Sequence, residues 1–253
     1  MRDFQQERAA TKARIRRRGI YLLPNLFTTA ALFAGFYSIV QAMNQRFEDA
    51  AIAIFVAMVL DGLDGRVARM TKTQSAFGAE YDSLSDMVSF GAAPALVMYE
   101  WALRPLDKLG WVAAFVYVAG AALRLARFNT NLDVVDKRFF QGLPSPAAAA
   151  LVAGFIWVSQ AFALTTVAER WVGFVVTLYA GLTMVTSVPF FSGKSINLKR
   201  SIPFVVLLLA VLGFALLSIH PPLVLFICFV IYGVSGYVLG GWRWIRRRRQ
   251  LPA

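Results

Sequence analysis

This chain of 253 residues holds one cysteine and one histidine, and only 16% of it is charged. Cys228 has no partner for an intrachain disulfide and there is no CxxC pair, so a disulfide framework and dithiol or zinc–cysteine chemistry are excluded. Lying in an apolar run, it reads as a small buried hydrophobe. The lone His220 excludes catalysis by paired histidines, and with Pro221 and Pro222 after it at a gap between apolar runs it reads as a loop residue. Acidic residues are also few, 14 against 26 Lys and Arg. A carboxylate inside apolar sequence therefore stands out.

Apolar sequence is what the chain has most of, at 58%. It is gathered into runs at roughly 21–43, 48–69, 84–103, 109–128, 146–164, 171–189, 203–219 and 222–243. Each is near the ~20 residues that an α-helix needs to cross a hydrocarbon core about 30 Å thick. The expectation is an all-α integral membrane protein of about eight transmembrane helices. Gly91 and Pro94 interrupt the third run, as breaks do where a helix lines a site instead of facing lipid.

Charge placement sets the orientation. With alternate connections assigned to one side, all of the 26 Lys and Arg except Arg46, Arg104, Lys108 and Arg170 fall on the side that holds both termini and the 66–83 connection. The positive-inside rule makes that side cytoplasmic. Residues 1–20 then form a basic juxtamembrane segment drawn to anionic lipid, not a cleavable signal peptide. A single transmembrane catalytic domain follows at 21–245, and 246–253 is a basic tail. The net charge of +12 is thus a matter of membrane orientation, and nucleic acid is not expected as a partner. Gly233, Gly236, Gly240 and Gly241 permit close helix contact, on a homodimer face or an internal one.

The stretch from Asp61 to Asp86, DGLDGRVARMTKTQSAFGAEYDSLSD, puts four aspartates inside or at the edge of apolar sequence. One aspartate at the centre of a membrane helix costs about 2.5–3.5 kcal/mol on insertion scales, so four need a compensating partner. Helical spacing puts Asp61, Asp64, Gly65, Ala68 and Arg69 on one face, and Asp82 and Asp86 one turn apart on the next helix. A metal ion satisfies such a cluster. Oxygen-only ligation suits Mg²⁺, Mn²⁺ or Ca²⁺ over zinc.

The pattern Asp61-x2-Asp64-Gly65-x2-Ala68-Arg69-x8-Gly78-x3-Asp82-x3-Asp86 resembles the signature of the CDP-alcohol phosphotransferases, membrane enzymes of phospholipid synthesis. The resemblance implies a core of six helices, with the last two as an addition. It implies metal ligation by Asp61, Asp64, Asp82 and Asp86, with Asp86 also the general base. It implies binding of CDP-diacylglycerol by Asn25, Thr28, Gly65, Arg69, Ser75 and Gly78, of which Asn25 and Thr28 read equally as helix caps.

Arg124-Leu125-Ala126-Arg127-Phe128-Asn129 and Gly142-Leu143-Pro144-Ser145-Pro146 resemble segments of the phosphatidylserine synthase branch of that family. Two arginines at a helix end also complement the helix dipole and lipid phosphates. As a substrate site, Arg124, Arg127 and Asn129 would recognise the carboxylate of L-serine, which simpler alcohols lack. The implied reaction gives phosphatidylserine and CMP at the cytoplasmic face of a bacterial inner membrane. Its rivals are the same transfer to glycerol 3-phosphate, inositol phosphate or choline and, from a different class, an ion-coupled transporter, because carboxylates in a helix bundle also mark ion pathways.

Overall fold

The computed structural model describes residues 24–71, 73, 75–130, 139–163, 166–191 and 204–248. The basic segment at 1–20 and residues 249–253 of the tail lie outside the described residues.

Among the described residues, each of the eight apolar runs falls mainly on helix, with ends shifted by a few residues. Helix α1 spans Pro24–Met43 and α2 spans Phe47–Thr71. The third run is a composite: α3 at Ala76–Asp86, a π-helical segment at Met87–Ala92, α4 at Ala93–Met98, a second π segment at Tyr99–Leu103 and a 3₁₀ turn at Arg104–Leu106. Helix α5 covers Asp107–Thr130, α6 Ser145–Ala161 and α7 Val167–Val185, followed by α8 at Phe204–Ile219 and α9 at Pro221–Arg248. Three helical stretches among the described residues are long and apolar enough to cross a membrane: Pro24–Met43, Ala76–Thr130 and Pro221–Trp242. Ser145–Ala161 and Val206–Ile219 are shorter apolar helices.

The third run is not broken at Gly91 and Pro94 but widened. Proline has no N–H to donate to the carbonyl four residues back, which here is that of Phe90. The buried Tyr117 hydroxyl of α5 donates to the Phe90 carbonyl instead, at 3.0 Å. The Ala93 N–H reaches back five residues to the Val88 carbonyl, the spacing of a π turn. The backbone is thus satisfied from a neighbouring helix without interrupting the run.

At the centre lies α6, whose alanine-rich sequence carries no charge and is buried along most of its length, against α2, α4, α7 and α9. Small side chains let helices approach closely where lipid supplies no hydrophobic drive. The α5–α7 contact goes furthest: a Cβ on Gly120 would collide with the carbonyl of Gly181, and one on Gly181 would sit 2.8 Å from Cα of Tyr117.

A two-stranded antiparallel ribbon, not anticipated in an all-α fold, joins β1 at Phe139–Gln141 to β2 at Pro189–Phe191, with Phe140 opposite Phe190. Helix α9 packs along α6 and β2. Its Gly233 faces Leu151 and Tyr179, and its Gly236 faces Phe190, so both glycines make internal contacts. Cys228 is exposed on α9, which corrects the expectation of burial. An apolar residue on a membrane helix meets no penalty for facing outward, so apolar sequence there does not imply core. His220 stands between α8 and α9 and stacks on Phe162, with ring centroids 6.4 Å apart.

Candidate functional site

Helix α2 brings Asp61 and Asp64, and α3 brings Asp82, to one point where a carboxylate oxygen from each lies within 4.8 Å of the others. Like charges so close repel strongly in a medium of low dielectric constant. No lysine or arginine among the described residues forms an ion pair with them. Oδ1 of Asp82 is buried with no hydrogen-bond partner. Oxygen-only donors, an unmatched charge and an orphaned acceptor together fit a hard divalent cation, which these three residues could hold.

The buried Asp64 is fixed from α1: the Thr28 hydroxyl donates to its Oδ2 at 2.7 Å. Asp86, one turn beyond Asp82, is not one of the three clustered carboxylates. It lies beside Asp61 and Asp82 on one flank, and Arg124 of α5 acts on it electrostatically.

A cavity of about 370 Å³ opens beside the aspartates. Its wall takes Asn25 and Thr28 from α1, Asp64, Gly65, Ala68 and Arg69 from α2, and Ser75, Gly78 and Asp82 from the start and body of α3. All six residues expected to bind CDP-diacylglycerol therefore face one space. Ser75 is the N-cap of α3, its Oγ accepting from the Gly78 N–H at 3.0 Å. Gly78 thus lies in the first turn of a helix. A Cβ there would come 3.1 Å from Oγ of Ser75 and 3.4 Å from Oδ1 of Asn25, so glycine keeps that wall of the cavity clear. Phe128 also lines the cavity. Sequence reasoning passed over it, although it stands between Arg127 and Asn129, because an aromatic in an apolar run reads as packing.

The two segments around Arg124 and Gly142 meet in space. Arg124 Nη1 donates to Ser145 Oγ at 2.8 Å, while its Nε is buried and has no acceptor. Arg127 turns the other way: its Nη2 donates to the Val185 carbonyl at 2.8 Å and its Nη1 to that of Thr186 at 3.3 Å, completing the C-terminus of α7. Asn129 Nδ2 donates to Ser83 Oγ at 3.1 Å, tying α5 to α3 next to Asp82. Gly142 adopts φ 78°, and its N–H donates to the Val188 carbonyl at 2.9 Å; a Cβ there would strike the Met184 carbonyl.

The family model described as CDP-alcohol phosphatidyltransferase matches residues 21–185. The chain belongs to this family. It is similar to the CDP-diacylglycerol–serine O-phosphatidyltransferase of Helicobacter pylori, 35% identical over 230 residues that cover 89% of this chain and 92% of that protein. The enzyme of the same name from Methanocaldococcus jannaschii is 35% identical over 188 residues, 74% of this chain and 83% of its own. That from Mycobacterium leprae is 41% identical over 148 residues, 56% of this chain and 49% of its own.

The matched stretch of this CDP-alcohol phosphatidyltransferase family member runs from α1 to the end of α7. It contains all four of the site's aspartates and the whole cavity wall. Strand β2 and helices α8 and α9 lie beyond it.

Proposed function

We propose that this protein transfers the phosphatidyl group of CDP-diacylglycerol to the hydroxyl of L-serine, giving phosphatidylserine and CMP. The observation that carries this reading is the joining of a nucleotide-sized cavity to three clustered aspartates, in a chain whose similar proteins bear the name of that activity. Asp61, Asp64 and Asp82 would hold Mg²⁺ or Mn²⁺, with Ca²⁺ also suited to the donor set and Asp86 completing the group. A bound divalent ion would neutralise the charge that builds on the pyrophosphate as it is cleaved.

The chain's own residues supply the rest. Arg69 pairs with the phosphates, and Gly65 and Ala68 leave room for the nucleotide beside Asn25, Thr28, Ser75 and Gly78. The free Nε of Arg124 takes the serine carboxylate, and Asn129 holds α5 to Ser83 beside Asp82. Serine held there lies next to Asp86, which removes the hydroxyl proton. The serine oxygen forms a bond to the phosphatidyl phosphorus as the bond from that phosphorus to the bridging oxygen breaks. CMP departs with the electron pair.

The charge distribution supports eight crossings with both termini and the site at the cytoplasmic face of a bacterial inner membrane. To test the reaction, purified protein is given CDP-diacylglycerol with serine, glycerol 3-phosphate, inositol phosphate or choline, and the lipid product is identified. Phosphatidylserine is expected. A better acceptor among the others overturns the choice of serine, and no CMP release with any of them overturns the reaction.

A further inference from the structure

Helix α9 lies outside the family-matched stretch, yet it grips the segment that supports Arg124. Its Tyr232 hydroxyl donates to the Phe191 carbonyl of β2 at 3.0 Å, and the Tyr232 ring packs on Phe190 with centroids 5.7 Å apart. Phe190 is fully buried, and Gly236, one turn further along α9, leaves no space between the helix and that ring.

A ribbon of three residue pairs is marginal by itself, so β1 and β2 need an external clamp. The ribbon leads directly to the site. Strand β1 ends at Gln141, the Gly142 and Leu143 N–H groups bond to the carbonyls of Val188 and Thr183, and Ser145 two residues later accepts from Arg124. Helix α9 thus reaches the arginine's support through the ribbon.

We propose that Tyr232 is a positioning residue for the acceptor: by clamping β2 it keeps Ser145 and Arg124 aligned toward Asp86, which makes α9 a part of serine recognition. This rests on the reaction proposed above. If α9 were packing alone, loosening it would affect both substrates or only stability.

The test is steady-state kinetics of the full chain in vesicles containing CDP-diacylglycerol, with CMP binding measured separately. Tyr232→Phe keeps the ring and removes one hydrogen bond. It is expected to raise the serine KM by about two- to tenfold, with the CDP-diacylglycerol KM and CMP affinity unchanged. Gly236→Ala, which pushes on Phe190 from the next turn of α9, should shift the same constant in the same direction. Tyr179→Phe removes a 2.9 Å bond to the Gly233 carbonyl of the same helix, one that does not involve β1 or β2, and should leave the serine KM as it was. The proposal is overturned if Tyr232→Phe leaves the serine KM unchanged, if both substrate constants rise together, or if Tyr179→Phe matches its effect. Wild-type protein that releases no CMP with serine overturns the acceptor and this inference together, whereas an active wild type with a silent Tyr232→Phe overturns this inference alone.

Discussion

Thr28 and Asp64, 36 residues apart and on different helices, are joined by a hydrogen bond of 2.7 Å that sets the carboxylate's orientation. The hydroxyl is also 3.2 Å from the Pro24 carbonyl, but it has one proton, and the shorter contact to the charged acceptor takes it. Groups that orient a metal ligand typically matter 10- to 100-fold for metal affinity or activity. Thr28→Val should raise the Mg²⁺ or Mn²⁺ concentration for half-maximal activity by about that factor, and Thr28→Ser should restore it. A metal titration of both variants decides, and equal midpoints would show that Asp64 does not depend on Thr28.

Metal dependence itself follows from the orphaned Oδ1 of Asp82. Exhaustive chelation should abolish CMP release, and Mg²⁺ or Mn²⁺ should restore it. Asp82→Asn retains the shape but removes the charge, and should lower kcat/KM by more than the ~100-fold typical of a residue one shell out. Unchanged turnover after chelation would exclude the metal.

Arg124 and Arg127, equivalent in sequence, should separate in solution. Arg124 has a buried nitrogen free to bind, so Arg124→Lys should raise the serine KM by about 10- to 150-fold, the equivalent of roughly 1.5–3 kcal/mol for a charge-assisted hydrogen bond. Arg127 is bonded to the end of α7. Arg127→Lys should instead lower stability, by about 1–3 kcal/mol, with the serine KM little changed. Kinetics and thermal melts of the two variants are read side by side, and the reverse pattern would exchange their roles.

Topology can be read by impermeant thiol labelling in a Cys228→Ser background, needed because Cys228 is exposed. Thr71 and Lys108 are both exposed positions, whereas Thr73 is buried and unsuited to labelling. Thr71→Cys should react only from the cytoplasmic side and Lys108→Cys only from the other. Reaction of both from one side would show that the stretch between them does not cross the membrane.

The aspartates were legible in the sequence because their pairing rests on spacing within two helices, which periodicity preserves, whereas the cavity wall, drawn from three helices, was expected only through the resemblance to the family. What escaped depends on contacts between distant segments. The π segment ahead of Pro94 could not be read, since a proline in an apolar run signals a break unless Tyr117 of another helix is known to satisfy the Phe90 carbonyl. The roles of Arg124 and Arg127 were indistinguishable for the same reason, as their partners lie 21 and 58 residues away. Tyr232 gave no signal at all. Its acceptor is a main-chain carbonyl in a ribbon that no strand pattern announced.

The π segment at Met87–Ala92 also fixes a phase. One residue turns an α-helix by about 100°, and a π turn absorbs a residue without passing that rotation on. Asp82 and Asp86 lie before the segment, and the Met98 and Ala102 side of the helix, which meets α7, lies after it. Removing a single residue between Met87 and Ala92 would restore regular winding while shortening the run. The two halves would keep their phase, with the carboxylates still on the cavity and the far half still on α7, and the loss would fall on the widened turn and the Phe90 carbonyl that Tyr117 reaches. A one-residue deletion should therefore be tolerated better here than in the α-helical parts of the run, where it would turn one half by about 100° against the other.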